Sequence, residues 1–140
     1  MTDSQNSTTG ACLCGQVRYR ITVQPKFQYL CHCRDCQRMS GSGYLPLLAI
    51  PLEGFQIEGD LTFYERTADS GRAAREAFCS RCGSRLFGDG EGIPGVVVVT
   101  AGSLDNPNGF TPDAHIHTRS RNHWDTIADQ LPQYLEEPNA

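Results

Sequence analysis

The chain has 140 residues, with 16 acidic against 12 basic side chains and a formal net charge of −4. That length fits one domain that can bury about two-thirds of its unfolded surface. The acidic balance argues against a nucleic-acid or anionic-membrane partner, because such footprints are basic and clustered. The longest strongly apolar run, Gly95-Val96-Val97-Val98-Val99, falls far short of the about 20 residues that cross a bilayer.

Residues 1–9 lack both a charged and an apolar signal region and read as a flexible lead-in, so the expected compartment is cytoplasmic. Without export, the Asn6-Ser7-Thr8 sequon carries no weight. A single domain is expected over 10–135, followed by a tail at 136–140. No internal repeat or domain-separating linker interrupts it, and nothing in the sequence indicates an oligomeric state.

In chain order, Val17, Tyr19, Ile21 and Val23 alternate with polar residues, as in a half-buried strand. Pro25 breaks it, and Phe27-Gln28-Tyr29-Leu30 forms a second strand, expected to be its hairpin neighbour. One or two helical turns are expected from about Cys33 to Ser40. The strand from Gly43 to Ile50 contains Pro46, which suggests an edge or a bulge. Phe55–Glu58 and Leu61–Glu65 read as a hairpin closed by Gly59-Asp60. Arg72–Phe78 has helical propensity, but its neighbours and its approach to a cysteine pair argue for strand. Ser84–Gly88 and the apolar Val96–Ala101 complete the sheet, the latter as a central strand. Gly102–Gly109 is a loop, His115–Thr118 a last short strand, and Trp124–Leu135 a segment expected to hold a short helix. Many short strands punctuated by Gly and Pro give an all-β domain.

Seven cysteines without an export signal point to metal rather than to disulfides. Cys31-His32-Cys33-Arg34-Asp35-Cys36 packs three thiols into six residues. The remaining four fall into Cys12-Leu13-Cys14-Gly15 and Cys79-Ser80-Arg81-Cys82-Gly83, enough for one tetrahedral zinc site if the pairs meet. In each pair a glycine after the second cysteine can take the positive φ that turns backbone N–H groups onto sulfur. Two zinc ions are therefore expected: a structural one on Cys12, Cys14, Cys79 and Cys82, and an open, catalytic one on Cys31, Cys33 and Cys36. Closed four-ligand zinc sites are structural, whereas three protein ligands leave a position for water or substrate.

The alternatives for the trio are closure by a distant His115, His117 or His123, and a cluster without metal. His32 lies between two ligands, so its side chain should point away from their shared ion and act as an ordinary hydrogen-bonded histidine. His115 and His117 would share one strand face. Trp124 reads as core or rim packing. Arg34, Arg38, Arg81 and Arg85 can offset thiolate charge, and Arg34 and Arg38 are candidate contacts for substrate carboxylates, which guanidinium groups bind in bidentate fashion.

These elements, with Phe78 ahead of Cys79 and His115-Ile116 ahead of Trp124, resemble the glutathione-dependent formaldehyde-activating enzyme family, to which centromere protein V is related. The likeness runs from about Gly10 to Leu135, and the ordered set of seven cysteines carries it. The resemblance implies a β-tent zinc fold of short antiparallel strands, with a structural ion on the outer cysteines and a catalytic ion on the middle three. It also implies carbon-sulfur lyase chemistry: formation or cleavage of S-hydroxymethylglutathione from the small thiol glutathione and formaldehyde. A different class is a non-catalytic zinc-binding interaction module, whose expected mark, a long basic extension, is not in this sequence. A third is a redox sensor that joins Cys33 to Cys36 when metal is lost.

Overall fold

A computed structural model describes residues 7–138; the rest of the expected lead-in and tail lies outside them. Ten strands and one helix follow in the order β1 (Thr8–Ala11), β2 (Arg18–Ile21), β3 (Phe27–Cys31), α1 (Arg34–Ser40), β4 (Leu45–Pro51), β5 (Phe55–Glu58), β6 (Leu61–Thr67), β7 (Ala73–Cys79), β8 (Arg85–Gly90), β9 (Val96–Thr100) and β10 (Ala114–Ile116). The strands form a three-stranded sheet, β1-β2-β5, and a seven-stranded sheet, β10-β3-β4-β9-β8-β7-β6. This is the expected all-β tent. One pairing departs from the antiparallel rule: β10 runs parallel to β3.

Strand alternation divides the interior in two. Leu48 and Ile50 of β4, with Val97 and Val99 of β9, meet Val17, Tyr19 and Ile21 in the core that faces the small sheet. Leu45 and Leu47 point the other way and join Cys31, Cys36 and Ile116 in a second cluster beneath α1. Burying each large aliphatic side chain stabilises the fold by about 1.5–3 kcal/mol. The apolar run at Val96–Thr100 is central, between β4 and β8, as its composition requires.

Several expectations are corrected. β2 and β3 are not a hairpin. Past β2, Thr22 N–H donates to Gly54 O (2.9 Å), whereas Lys26 N–H donates to Ala49 O (2.8 Å), so the chain crosses from one sheet to the other. β5 and β6 are likewise not a hairpin: β5 pairs with β2 and β6 with β7. Gly59-Asp60 is the corner between sheets. Gly59 has φ 119, and a Cβ there would lie 2.7 Å from Val17 Cα, so glycine is needed for both conformation and approach.

Pro46 is not on an edge strand, since β4 pairs on both sides. It faces Leu30 in β3, but β9 pairs only from Leu47 onward, so its missing N–H costs no bond on that side. β1 begins at Thr8 because Thr8–Ala11 pairs with β2 and Thr9 Oγ1 donates to Asp105 (2.7 Å).

Trp124–Leu135 forms no helix. Its backbone is used along β10 instead, where His115 N–H donates to Pro132 O and Tyr134 N–H to His115 O, both at 2.9 Å. The last strand ends at Ile116. His117 turns into the left-handed region at φ 55, so it does not continue the face of His115. Trp124 is 63% exposed and packs as a rim residue against the turn at Gly43.

Candidate functional site

The four outer cysteines come together as their sequence pattern demands. Gly15 (φ 85) and Gly83 (φ 80) close the two knuckles, and Gly83 N–H donates to Cys79 O at 2.9 Å. Cys12 and Cys14 sulfurs are 3.7 Å apart, and Cys14 and Cys79 sulfurs 3.8 Å. A tetrahedral ion with metal–sulfur bonds of about 2.3 Å has sulfurs about 3.8 Å apart, so the geometry fits zinc. Donors surround the cluster: Val17 N–H reaches Cys12 Sγ (3.3 Å), and Arg81 and Cys82 N–H reach Cys79 Sγ (both 3.3 Å). Gln16 Nε2 adds a contact to Cys79 at 3.2 Å.

These donors favour thiolate. Ser84, through its hydroxyl and its backbone N–H, pulls Cys82 down to about 5. Cys79 is lowered by backbone N–H groups and Gln16 against the opposing effect of burial. Cys14 gains from the Gln16 backbone N–H, yet desolvation and the neighbouring thiols push it up to about 11. Without a cation, the four sulfurs cannot all ionise.

The middle three are arranged by α1. Cys33 is its N-cap, with its sulfur accepting from Cys36 N–H at 3.3 Å. Cys31 closes β3, and Cys36 lies one turn into the helix. The three sulfurs lie within 4.8 Å of one another. Hydrogen bonds from the Cys31 and Cys36 thiols pull Cys33 down to about 2, and the same sharing pushes Cys31 up to about 12 and Cys36 higher still. The trio thus concentrates negative charge on one sulfur. A divalent cation would let all three ionise, which is the fit expected of a metal site.

No histidine closes this site. His32 points away from the sulfurs, fully buried, with Nε2 2.9 Å from His115 Nδ1 and Nδ1 3.0 Å from Asp125 Oδ2. His115 Nε2 in turn meets Asp129 Oδ2 at 2.9 Å. Burial, opposed by Asp125, lowers the His32 pKa. Between His32 Nδ1 and Asp125 Oδ2 the short approach is not an aligned hydrogen bond. His117 Nε2 pairs with Glu137 at 2.6 Å. Among the described residues, neither the trio nor the outer four gain a histidine or carboxylate ligand.

A cleft of about 200 Å³ opens onto Cys36. Met39, Leu45, Leu47 and Val98 give it an apolar floor, and Arg66, Arg72, Arg85 and Glu76 give it charge. Glu76 accepts from Arg66 Nε (3.0 Å) and from Arg85 Nε (3.0 Å) and Nη2 (2.9 Å). Arg66 Nη1 also donates to Asp35 at 3.0 Å. Burial works against its charge, but Glu76, Asp35 and the nearby Cys36 together hold Arg66 above its ordinary value. A second hollow, of about 540 Å³, shares Met39, Leu45 and Arg85 and ends against Cys12. A third hollow, of about 740 Å³, touches no cysteine. It shares Arg66, Ala73, Ala74, Asp89, Gly90 and Ile93 with the Cys36 cleft, but without a thiol its size does not make it the reactive site.

Arg34 and Arg38 sit on the side of α1 away from Cys36, in a shallow hollow with Trp124 and Asn122. Arg34 Nη1 donates to Gln37 Oε1. Arg85 lies between the two cysteine clusters and spends its donors on Glu76 and Thr100. The sequence reading missed Arg66, Glu76, Asp125 and Asp129. The one signal for Glu76 was a lone carboxylate within Ala73–Phe78, a segment otherwise too apolar for an exposed strand.

Fold and site together define a β-tent protein with one cluster of four cysteines and one of three, each able to hold a metal ion. The profile described as glutathione-dependent formaldehyde-activating enzyme matches residues 7–120, and the chain belongs to that family. A crystal structure of a Rhodobacter sphaeroides protein is similar in fold, with a TM-score of 0.58 at 22% identity over 72% of this chain and 93% of that one. No curated protein matched. No helix is long and apolar enough to cross a membrane among the described residues.

Proposed function

We propose that the chain is a zinc-dependent enzyme of the carbon-sulfur lyase type, acting on a small thiol adduct through the site formed by Cys31, Cys33 and Cys36. Its reaction is the joining of glutathione and formaldehyde to S-hydroxymethylglutathione, or the reverse. The observation that carries this reading is three thiols within 4.8 Å of one another, with no fourth protein ligand among the described residues and a cleft at Cys36. Family membership supports the reaction class.

When bound, zinc would supply a Lewis acid for a thiolate or carbonyl oxygen. The protein's own groups do the rest. Leu45, Leu47, Met39 and Val98 exclude water from one side of the cleft. Among the described residues Arg66 Nε and Nη1 have partners and Nη2 has none, and Arg72 lines the same cleft, so we assign substrate carboxylates to these two ahead of Arg34 and Arg38. The outer cysteines hold a structural ion that ties the start of the chain to β7. Seven free thiols suit a reducing, cytoplasmic setting.

The test is the zinc content of purified, reduced protein together with the rate at which it equilibrates formaldehyde with glutathione. Wild type should hold two equivalents, and Cys36→Ser one, with loss of the catalysed rate. A single equivalent in wild type, unchanged by Cys36→Ser, would refute the open site. Two equivalents with no response of the cobalt–thiolate spectrum to any thiol would favour a binding module.

A further inference from the structure

The family match ends at residue 120, yet the chain continues across the open cysteine cluster. We propose that segment 121–138, through Asp125 and Asp129, positions the Cys31-His32-Cys33 turn for metal binding. This inference rests on the reading of the trio as a metal site.

His32 stands between two of the three sulfurs; three of its four polar groups are hydrogen-bonded, and the fourth, Nδ1, faces Asp125 Oδ2 at 3.0 Å without an aligned bond. Its N–H donates to Ile116 O at 3.0 Å. Its carbonyl accepts from Gln37 Nε2 at 2.7 Å. Its ring contacts Asp125 on one side and His115 on the other, and His115 reaches Asp129. Gln37 is itself held from the same direction: its Nε2 donates to Ser120 O, and its Oε1 accepts from Asn122 Nδ2, both at 3.0 Å. Asp125 and Trp124 lie against Gly43, where a Cβ would be 3.0 Å from the carboxylate.

A turn of the His32 peptide would swing Cys31 and Cys33 apart, and the bonds on its N–H and carbonyl, with its ring lodged between Asp125 and His115, remove that freedom. Groups fixed before the ligand arrives bind it without a further ordering cost. Asp125 and Asp129 touch neither the sulfurs nor the cleft, so they are positioning residues. The outer cluster has no such tie to 121–138, which makes it an internal control.

The experiment titrates zinc-loaded protein with a chelator and repeats it with cobalt, reading both sites in the same molecule. Asp125→Ala should weaken the Cys31/Cys33/Cys36 site by about tenfold, the lower end for groups that orient metal ligands, and leave the outer site unchanged. Asp125→Asn, which keeps a polar side chain of the same shape facing His32 Nδ1, should stay within about threefold of wild type. Asp129→Ala should shift the trio in the same direction by less. Asp129 is half-exposed, so this variant decides the matter should Asp125→Ala fail to fold. Unchanged affinity at the trio in the alanine variants, or equal weakening of both sites, overturns the proposal. A single zinc in wild type overturns it together with the open-site reading, whereas two zincs with insensitive variants overturn it alone.

Discussion

Glu76 is the carboxylate that holds the charged side of the Cys36 cleft together, and its removal tests the structure most directly. It is 8% exposed, and its two oxygens accept three bonds from Arg66 and Arg85, whose side chains are 22% and 11% exposed. Deleting one partner of a buried ion pair costs about 3–5 kcal/mol, because the charge left behind stays desolvated. Two features place Glu76→Ala near the lower end, at about 3 kcal/mol. Arg66 keeps Asp35, and Arg85 keeps Thr100. Glu76→Gln keeps the shape and one acceptor but loses the charge, and should cost about 1–1.5 kcal/mol. Urea unfolding of the zinc-loaded protein, followed by circular dichroism, measures both. A loss below about 1 kcal/mol for the alanine variant, or equal losses for the two, would refute the view that an unpaired guanidinium carries the cost.

Other expectations follow from single contacts. Gly59→Ala should destabilise by at least about 2 kcal/mol, combining φ strain with overlap against Val17, read as a lowered melting temperature; an unchanged melting temperature would deny the corner its role. Gly88→Ala should disturb the same network as Glu76→Ala, since its Cβ would lie 2.6 Å from Arg85 Nη2, and the two substitutions combined should cost less than their sum in a double-mutant cycle. His117 is raised above its ordinary 6.5 chiefly by Glu137, with burial opposing. The stability from this pair is therefore fully present below pH 6.5 and lost as pH rises through the higher folded value. With both groups partly exposed, it amounts to no more than about 1 kcal/mol, and His117→Ala should abolish that slope in unfolding measured against pH. Chelation of both ions should lower the melting temperature more in wild type than in Cys36→Ser, because only wild type has the trio's ion to lose; equal shifts would contradict separate sites.

What the sequence disclosed was the chemistry that is local in the chain, and what it hid was the pairing. Cys79-Ser80-Arg81-Cys82-Gly83 folds as a knuckle because its own glycine turns its own N–H groups, so the spacing suffices to read it. The N-cap at Cys33 is equally local. Gly59-Asp60 failed as a hairpin signal because a tight turn between two strands is the same whether they pair with each other or part to different sheets. That choice belongs to β2 and β7, distant in sequence. Trp124–Leu135 failed for a related reason: its backbone donors and acceptors are satisfied by β10, and no window of the segment records that partner. The same long-range pairing brings Asp125 and Asp129 to His32 and His115. His115, read as a possible ligand, and His32, read as an ordinary hydrogen-bonded histidine, thus become the middle of a buried chain that ends in carboxylates. The cysteine count can say that one site lacks a ligand, but only the fold brings Arg66, Arg72 and Glu76 to the cleft beside it.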